Sequence, residues 1–292
     1  MQQLGGVVIV FHPTNEVINH ILSYASYLDL LLIFDNTPSE FDSSFNEALL
    51  KSGLKNIEYI CNKQNYGIAT CLNEAAHILN QKGFKWMLTM DQDSSFISKT
   101  AESYFQSFRQ QLWNSTDIGI VALNSTSSKE QIGVSENSSF TYINTAITSG
   151  SIVQLQILQL LGGFEEKLFI DEVDHEFCFR LRLNNYQIAS YQNLYLTHAL
   201  GSLENKGYLF GWMKRSKRVI HSPKRVYFMV RNHCFVSKKY ASHFREEFKL
   251  KRLQLLTTLK NNLFFSGRFF STLKYICLGY YDFLNNNYTN KP

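Results

Sequence analysis

The chain has 292 residues, 45% hydrophobic and 18% charged, which excludes a disordered or fibrous protein and allows one large α/β domain or one domain with a helical annex. The net charge of +5 hides a split: from Lys206 onward there are 18 Lys and Arg against 3 Asp and Glu, whereas the first 205 residues hold 11 and 21. Five scattered cysteines without Cys-x-x-Cys spacing argue against a disulfide framework or zinc site and for a reducing compartment, and no apolar run reaches the roughly 18 residues of a spanning helix.

Residues 5–11 read as a buried strand running straight from the N-terminus, with no secretory signal pattern before it. A Pro13 loop follows, then a predicted helix over 16–28 and a strand over Leu30–Phe34 ending in Asp35-Asn36-Thr37. Phe41–Ser52 suits a helix stopped by Gly53, Ile57–Cys61 a strand, Asn62–Gly67 a polar loop, and Ile68–Gln81 a helix closed by Gly83. The fourth strand ends at Asp91. Strands alternating with helices predict βαβ units and a mainly parallel sheet. Beyond it come a helix near 99–113, a strand over Ile118–Leu123, a polar excursion over 124–139, and Thr148-Ser149-Gly150-Ser151 leading into a new element. Leu161-Gly162-Gly163-Phe164 is a turn, and an acidic run, Asp171-Glu172-Val173-Asp174-His175-Glu176, opens a helix.

Two features carry chemistry. Ligands of open α/β sheets bind outside the carboxyl ends of the strands. Asp91-Gln92-Asp93 sits at such an end, and paired carboxylates there suit a hard divalent cation with its substrate phosphates. Four acids among residues 171–176 exceed what the helix macrodipole requires. The basic residues after Lys206 interleave with Phe, Leu and Tyr, a mixture suited to an anionic membrane surface; helical packing without lipid and nucleic acid are the less favoured readings. Locally, Asp35 with Thr37 also fits a helix cap and Asn65-Tyr66-Gly67 a tight turn.

In order along the chain, Phe34-Asp35-Asn36-Thr37, Asn62 to Ala69 with Asn73, Asp91-Gln92-Asp93, Ser149-Gly150-Ser151, Gly162 to Glu166, the 171–176 run with Cys178 and Arg180, and His198 resemble inverting family 2 glycosyltransferases of the GT-A fold. His221-Ser222-Pro223 with Arg225, Tyr227, Arg231 and Asn232 is similar to bacterial rhamnosyltransferases of surface polysaccharide synthesis. The resemblance runs from about Val7 to about Tyr240. It implies a GT-A domain over 1–235, with a mainly parallel nucleotide-binding sheet flanked by helices, and a basic amphipathic helical region over 236–292. It implies Mg²⁺ or Mn²⁺ held by Asp93, Asp91 and His198. Nucleotide contacts would come from Asp35, Asn36, Asn65, Gly67 and Asp91, and diphosphate contacts from Arg225 and Arg231.

The match to the family's base falls on Asp174, with Glu176 two residues on and Asp171 as the alternative; Val173 stands where an acid is commoner. The implied donor is dTDP-rhamnose, with UDP-glucose, UDP-galactose or UDP-galactofuranose as alternatives. The implied acceptor is a lipid-linked or growing surface glycan such as O-antigen or capsule. The expected location is cytoplasmic, peripheral at the inner face of the membrane, without nucleic acid and with a homodimer as an option. A nucleotidyltransferase is the less favoured class, because residues 5–20 contain Gly5 and Gly6 but no Lys or Arg.

Overall fold

The computed structural model describes residues 2–38, 43–126, 139–198, 203–206 and 216–289. They divide into two compact units, Met1–Glu166 with Asp174–Ala199, and Lys167–Val173 with Leu200–Pro292.

The first unit is built on β1 (Leu4–Val10), β2 (Leu30–Asp35), β3 (Ile57–Cys61) and β4 (Trp86–Asp91), with α1 (Asn15–Leu22), α2 (Ser43–Lys51) and α3 (Ile68–Gln81) between them. These strands are parallel in the order β3-β2-β1-β4. Both faces of β1, β2 and β4 are covered, which is why they read as unbroken apolar runs. The remaining elements are β5 (Ser94–Phe96), α4 (Ser98–Gln111), β6 (Ile118–Thr126), β7 (Phe140–Tyr142), β8 (Ser151–Gln154), α5 (Leu155–Leu160), α6 (Val173–Leu183) and β9 (Gln187–His198). They extend the sheet as β4-β8-β6-β9-β5, with β7 also on β9. Here β8 runs antiparallel to both β4 and β6, β9 runs parallel to β6, and β5 and β7 run antiparallel to β9.

The helix expected over 16–28 stops at Leu22, and a 3-10 turn, Ala25–Tyr27, follows. The Ser23 hydroxyl donates to the His20 carbonyl (2.6 Å), competing for an acceptor that a continuing helix would use. Two separate sequence motifs meet at Asn73. Its side chain accepts from Phe164 N (2.7 Å) and donates to Phe164 O (3.0 Å). Gly163, at φ +79°, has room for no Cβ, which would stand 2.7 Å from Asn73 Oδ1.

The second unit holds the strand pair β10 (Leu203–Lys206) and β11 (Ser216–Val219) and three helices, α7 (Pro223–Tyr240), α8 (Arg245–Phe265) and α9 (Phe269–Leu284). Ser222 caps α7 by accepting from Arg225 N (3.2 Å), with Pro223 in the first turn, where its missing N–H costs nothing. The domain boundary expected after residue 235 falls inside α7, a continuous helix packed along α9. Among the described residues no helix is long and apolar enough to cross a membrane.

Arg231, expected at a diphosphate, is instead fully buried. Its guanidinium donates to the carbonyls of Thr289 (2.8 Å) and Lys167 (2.9 Å) and stacks near Phe228 and Tyr227. Asn232 beside it donates to the carbonyls of Leu168 (2.9 Å) and Ile170 (2.7 Å). These bonds hold a stretch in which Phe169, Asp171 and Glu172 all take positive φ (33°, 62° and 66°), a conformation that persists only when its surroundings impose it. Arg231→Leu should therefore lower unfolding free energy by about 3 kcal/mol in urea denaturation, because buried carbonyls lose their donor. A loss below about 0.5 kcal/mol would return Arg231 to the ligand-binding candidates.

Candidate active site

The parallel register fixes one edge of the first unit. Val10 at the end of β1 pairs with Asp35, and Ile9 pairs with Asp91, so the two acids flank the carboxyl end of the central strand. Because β8 is antiparallel to β4, the turn entering β8 lies at that same edge. Thr89 Oγ1 donates to the Thr148 carbonyl (2.5 Å), and Gly150 N donates back to Thr89 O (2.9 Å). This turn then holds both acidic motifs. Asp91 N donates to Ser149 Oγ (3.3 Å), and Thr148 N donates to Asp174 Oδ2 (3.3 Å).

The acidic run resolves into four different environments. Asp174 lies in the first turn of α6, its other oxygen accepting from His175 N (2.8 Å), and its side chain keeps 23% of its exposure. Among the described residues no Lys or Arg pairs with it. Glu176 does not reach solvent. It is fully buried and its carboxylate is held by Arg180 (2.6 Å), one helical turn on, so a base role for Glu176 is corrected to a structural ion pair. In the second unit, Asp171 pairs with the half-exposed Arg225 (3.0 Å), and Glu172 pairs with Lys251 (2.9 Å). Arg225 thus has its partner within the same unit.

The metal candidates differ in exposure. Asp91 is half-buried and Asp93 exposed. His198 ends β9, its backbone paired with Ser94, the residue after Asp93; its side chain lies outside the described residues. Tyr24 is fully buried, and among the described residues its hydroxyl has no hydrogen-bond partner. Burial, and secondly the Asp91 charge, push its phenol upward, so it remains a neutral donor facing an acidic site.

At the other flank, both Asp35 oxygens are engaged, one by Tyr59 OH (2.6 Å) and one by Thr37 N (2.8 Å). Asn36 is buried, and its side chain serves the fold rather than a ligand. Oδ1 accepts from Asn62 (2.8 Å) and from Cys71 Sγ (3.1 Å), and Nδ2 donates to Gly67 O (3.3 Å). Asn65 Oδ1 accepts from Gly67 N (2.9 Å), forming the turn that starts α3 with Gly67 at φ +85°.

Sequence reasoning missed the clamp on the middle residue of Asp91-Gln92-Asp93. Gln92 Oε1 accepts from Phe11 N (2.8 Å), Nε2 donates to Phe11 O (3.3 Å), and its own carbonyl accepts from His20 Nδ1 (2.7 Å). An amide matched to a peptide edge is invisible in the spacing, since Gln92 and Phe11 are 81 residues apart.

No family model matches the chain. A curated relative, dTDP-rhamnosyl transferase RfbF of Shigella flexneri, is 26% identical over 250 residues, covering 80% of this chain and 79% of its own. Mannosyltransferase PcManGT from Pyrobaculum calidifontis, solved with GDP-Man and Mn²⁺, aligns at a TM-score of 0.57 with 10% identity, over 99% of this chain and 88% of its own. GalNAc-T7, solved with UDP, GalNAc and Mn²⁺, aligns at 0.56 with 11% identity over 97% of this chain, which spans 56% of that protein. The parallel β3-β2-β1-β4 layer continued by antiparallel β8, with acids at its carboxyl edge, is the GT-A fold of glycosyltransferases. The sequence relative is itself a glycosyltransferase, so the likeness in sequence and the likeness in fold point the same way.

Two outcomes follow. Gln92→Ala should leave the melting temperature nearly unchanged but cut turnover at least about tenfold, as expected when a loop that orients ligand groups is displaced by a fraction of an ångström; wild-type turnover would show that the clamp positions nothing. Burial pushes the Cys71 thiol up to about 11, so at neutral pH its thiolate is scarce. Iodoacetamide mapping of the native protein should label exposed Cys277 well before Cys71; equal rates would mean that the Asn36–Asn62–Cys71 network opens readily.

Proposed function

We propose that the chain is an inverting, divalent-cation-dependent glycosyltransferase that moves L-rhamnose from dTDP-rhamnose onto a lipid-linked or growing surface glycan. The observation that carries this reading is the Thr148–Ser149 turn, which hydrogen-bonds to Asp174 and to the backbone of Asp91 together. The donor sugar rests on the Shigella flexneri relative, whose name specifies dTDP-rhamnosyl transfer.

Asp91 and Asp93 fit a hard cation, and the backbone pairing of His198 with Ser94 supports including His198 in the set. Among the described residues no three His, Cys, Asp or Glu form a ready-made cage. A donor set of this kind suits Mg²⁺ or Mn²⁺ that takes its remaining ligands from phosphate and water. When bound, the cation supplies positive charge to the leaving diphosphate.

The protein's own residues do the rest. Asp174, oriented by the N–H groups of Thr148 and His175, takes the proton of the acceptor hydroxyl. That oxygen attacks the anomeric carbon from the face opposite the diphosphate, the bond to the diphosphate oxygen breaks, and the configuration inverts. Asp35, kept in place by Tyr59 and Thr37, presents its remaining lone pairs to the ribose or base.

A donor panel with Mg²⁺ or Mn²⁺, monitored for nucleoside diphosphate release, tests the substrate, and dTDP-rhamnose should give the highest turnover; preference for a UDP-sugar would replace the assignment. Asp93→Asn should fold normally and lose most activity, and excess chelator should do the same to the unaltered protein; full turnover in either case sinks the cation dependence. Asp174→Asn should lower kcat by about 10² or more with donor KM little changed. If Asp171→Asn is the crippled variant instead, the base belongs one turn earlier.

A further inference from the structure

Helix α9 is amphipathic in the wrong sense for water. Its inward side carries Thr272, Gly279 and Asp282, all buried. Gly279 lies so close to α7 that a Cβ there would stand 2.6 Å from the Tyr227 carbonyl. Asp282 accepts from Tyr227 OH (2.7 Å) and from Asn287 (3.0 Å). The outward side carries Phe269, Phe270, Leu273, Tyr280, Tyr281 and Leu284, with Phe270 84% and Tyr281 62% exposed. At the turn joining the helices, Phe264, Phe269 and Phe270 form a ring cluster (centroids 5.9 and 5.4 Å apart) that carries the apolar ridge onto the exposed Leu253 and Leu256 of α8. Contiguous exposed apolar surface of this kind marks a binding face.

Charge decides its occupant. Arg252 and Lys260 on α8, Arg268 in the turn and Lys274 on α9 are exposed; the acids of α8, Glu246 and Glu247, stand in its first turn, where Lys249 pairs with Glu246, and the sole acid of α9, Asp282, is buried. A second copy of the chain would bring this basic rim against itself. An anionic bilayer complements it, with aromatic rings at the headgroup level and the leucines below. We propose that the outer face of α9, with the adjoining ridge of α8, binds the surface of an anionic phospholipid membrane, holding the enzyme beside a lipid-linked acceptor. Lys251, one of the basic residues after Lys206, is not part of this rim, because it pairs with Glu172 (2.9 Å).

The test is sedimentation of the full chain with vesicles of phosphatidylcholine alone or mixed with phosphatidylglycerol, read without turnover and so independent of the donor assignment. Binding should require phosphatidylglycerol and weaken with salt. The exposed-site variant Phe270→Ser/Leu273→Ser/Tyr281→Ser, shown to be folded by circular dichroism, should bind at least about tenfold less well at every salt concentration. Lys260→Gln/Arg268→Gln/Lys274→Gln should lose about a hundredfold at low salt, and less at high salt. Equal binding to both vesicle types, absence of binding, or triple-serine binding equal to that of the unaltered protein overturns the proposal. So does a concentration-dependent dimer in light scattering that the triple-serine variant abolishes, which would assign the face to a second copy.

Discussion

The antiparallel entry of β8 beside β4 is the constraint on which the candidate site depends. A parallel neighbour would begin at the far edge of the sheet and bring its preceding loop there. An antiparallel one begins where β4 ends, so the Thr148–Gly150 turn arrives at the carboxyl edge already bearing backbone donors and a serine hydroxyl. Gly150 at φ +79° makes the turn possible, and Tyr104 fastens it by donating to the Gly150 carbonyl (2.9 Å) from inside the core. This turn orients Asp174 through the Thr148 N–H and meets the Asp91 backbone through Ser149 Oγ.

The buried acids are satisfied in more than one way. Among the acids with little exposure, Glu176 pairs with Arg180 and Glu172 with Lys251, whereas Asp35 and Asp282 are held by neutral donors, Tyr59 OH with Thr37 N and Tyr227 OH with the Asn287 amide. Asp174, which keeps some exposure, is oriented by the N–H groups of Thr148 and His175. Gln92, an uncharged amide, locks the loop between the two acids onto the backbone of Phe11.

The helical unit inverts the usual economy of a core. Arg231, Asn232 and Asp282 are inside, satisfied by carbonyls and a phenol, and a row of aromatic and aliphatic side chains is outside. The bonds of Arg231, Asn232 and Asp282, with the apolar side chains packed around them, fix α7 against α9 without the outer residues of α9.

The strand–helix alternation of the first ninety residues was legible because both-face burial demands unbroken apolar runs, and Gly53 and Gly83 end helices where their left-handed backbone is needed. Asp35 and Asp91 were legible as edge acids for the same reason. The sequence also marked 171–176 as unusual, but it offered Asp171, Asp174 and Glu176 on equal chemical terms. Choosing among them takes knowledge of which cation or N–H group each one meets, and those partners are Arg225, Thr148 and Arg180, two of them distant in the chain. Arg231 likewise looked like an anion-binding residue, since charge type is local whereas burial is not. Sequence by itself determined the elements, the parallel layer and the two acidic motifs, because those follow from local periodicity. Only tertiary structure decided which acid stays open, which charges are consumed in packing and which helix face is left bare, because each depends on contacts between segments far apart in the chain.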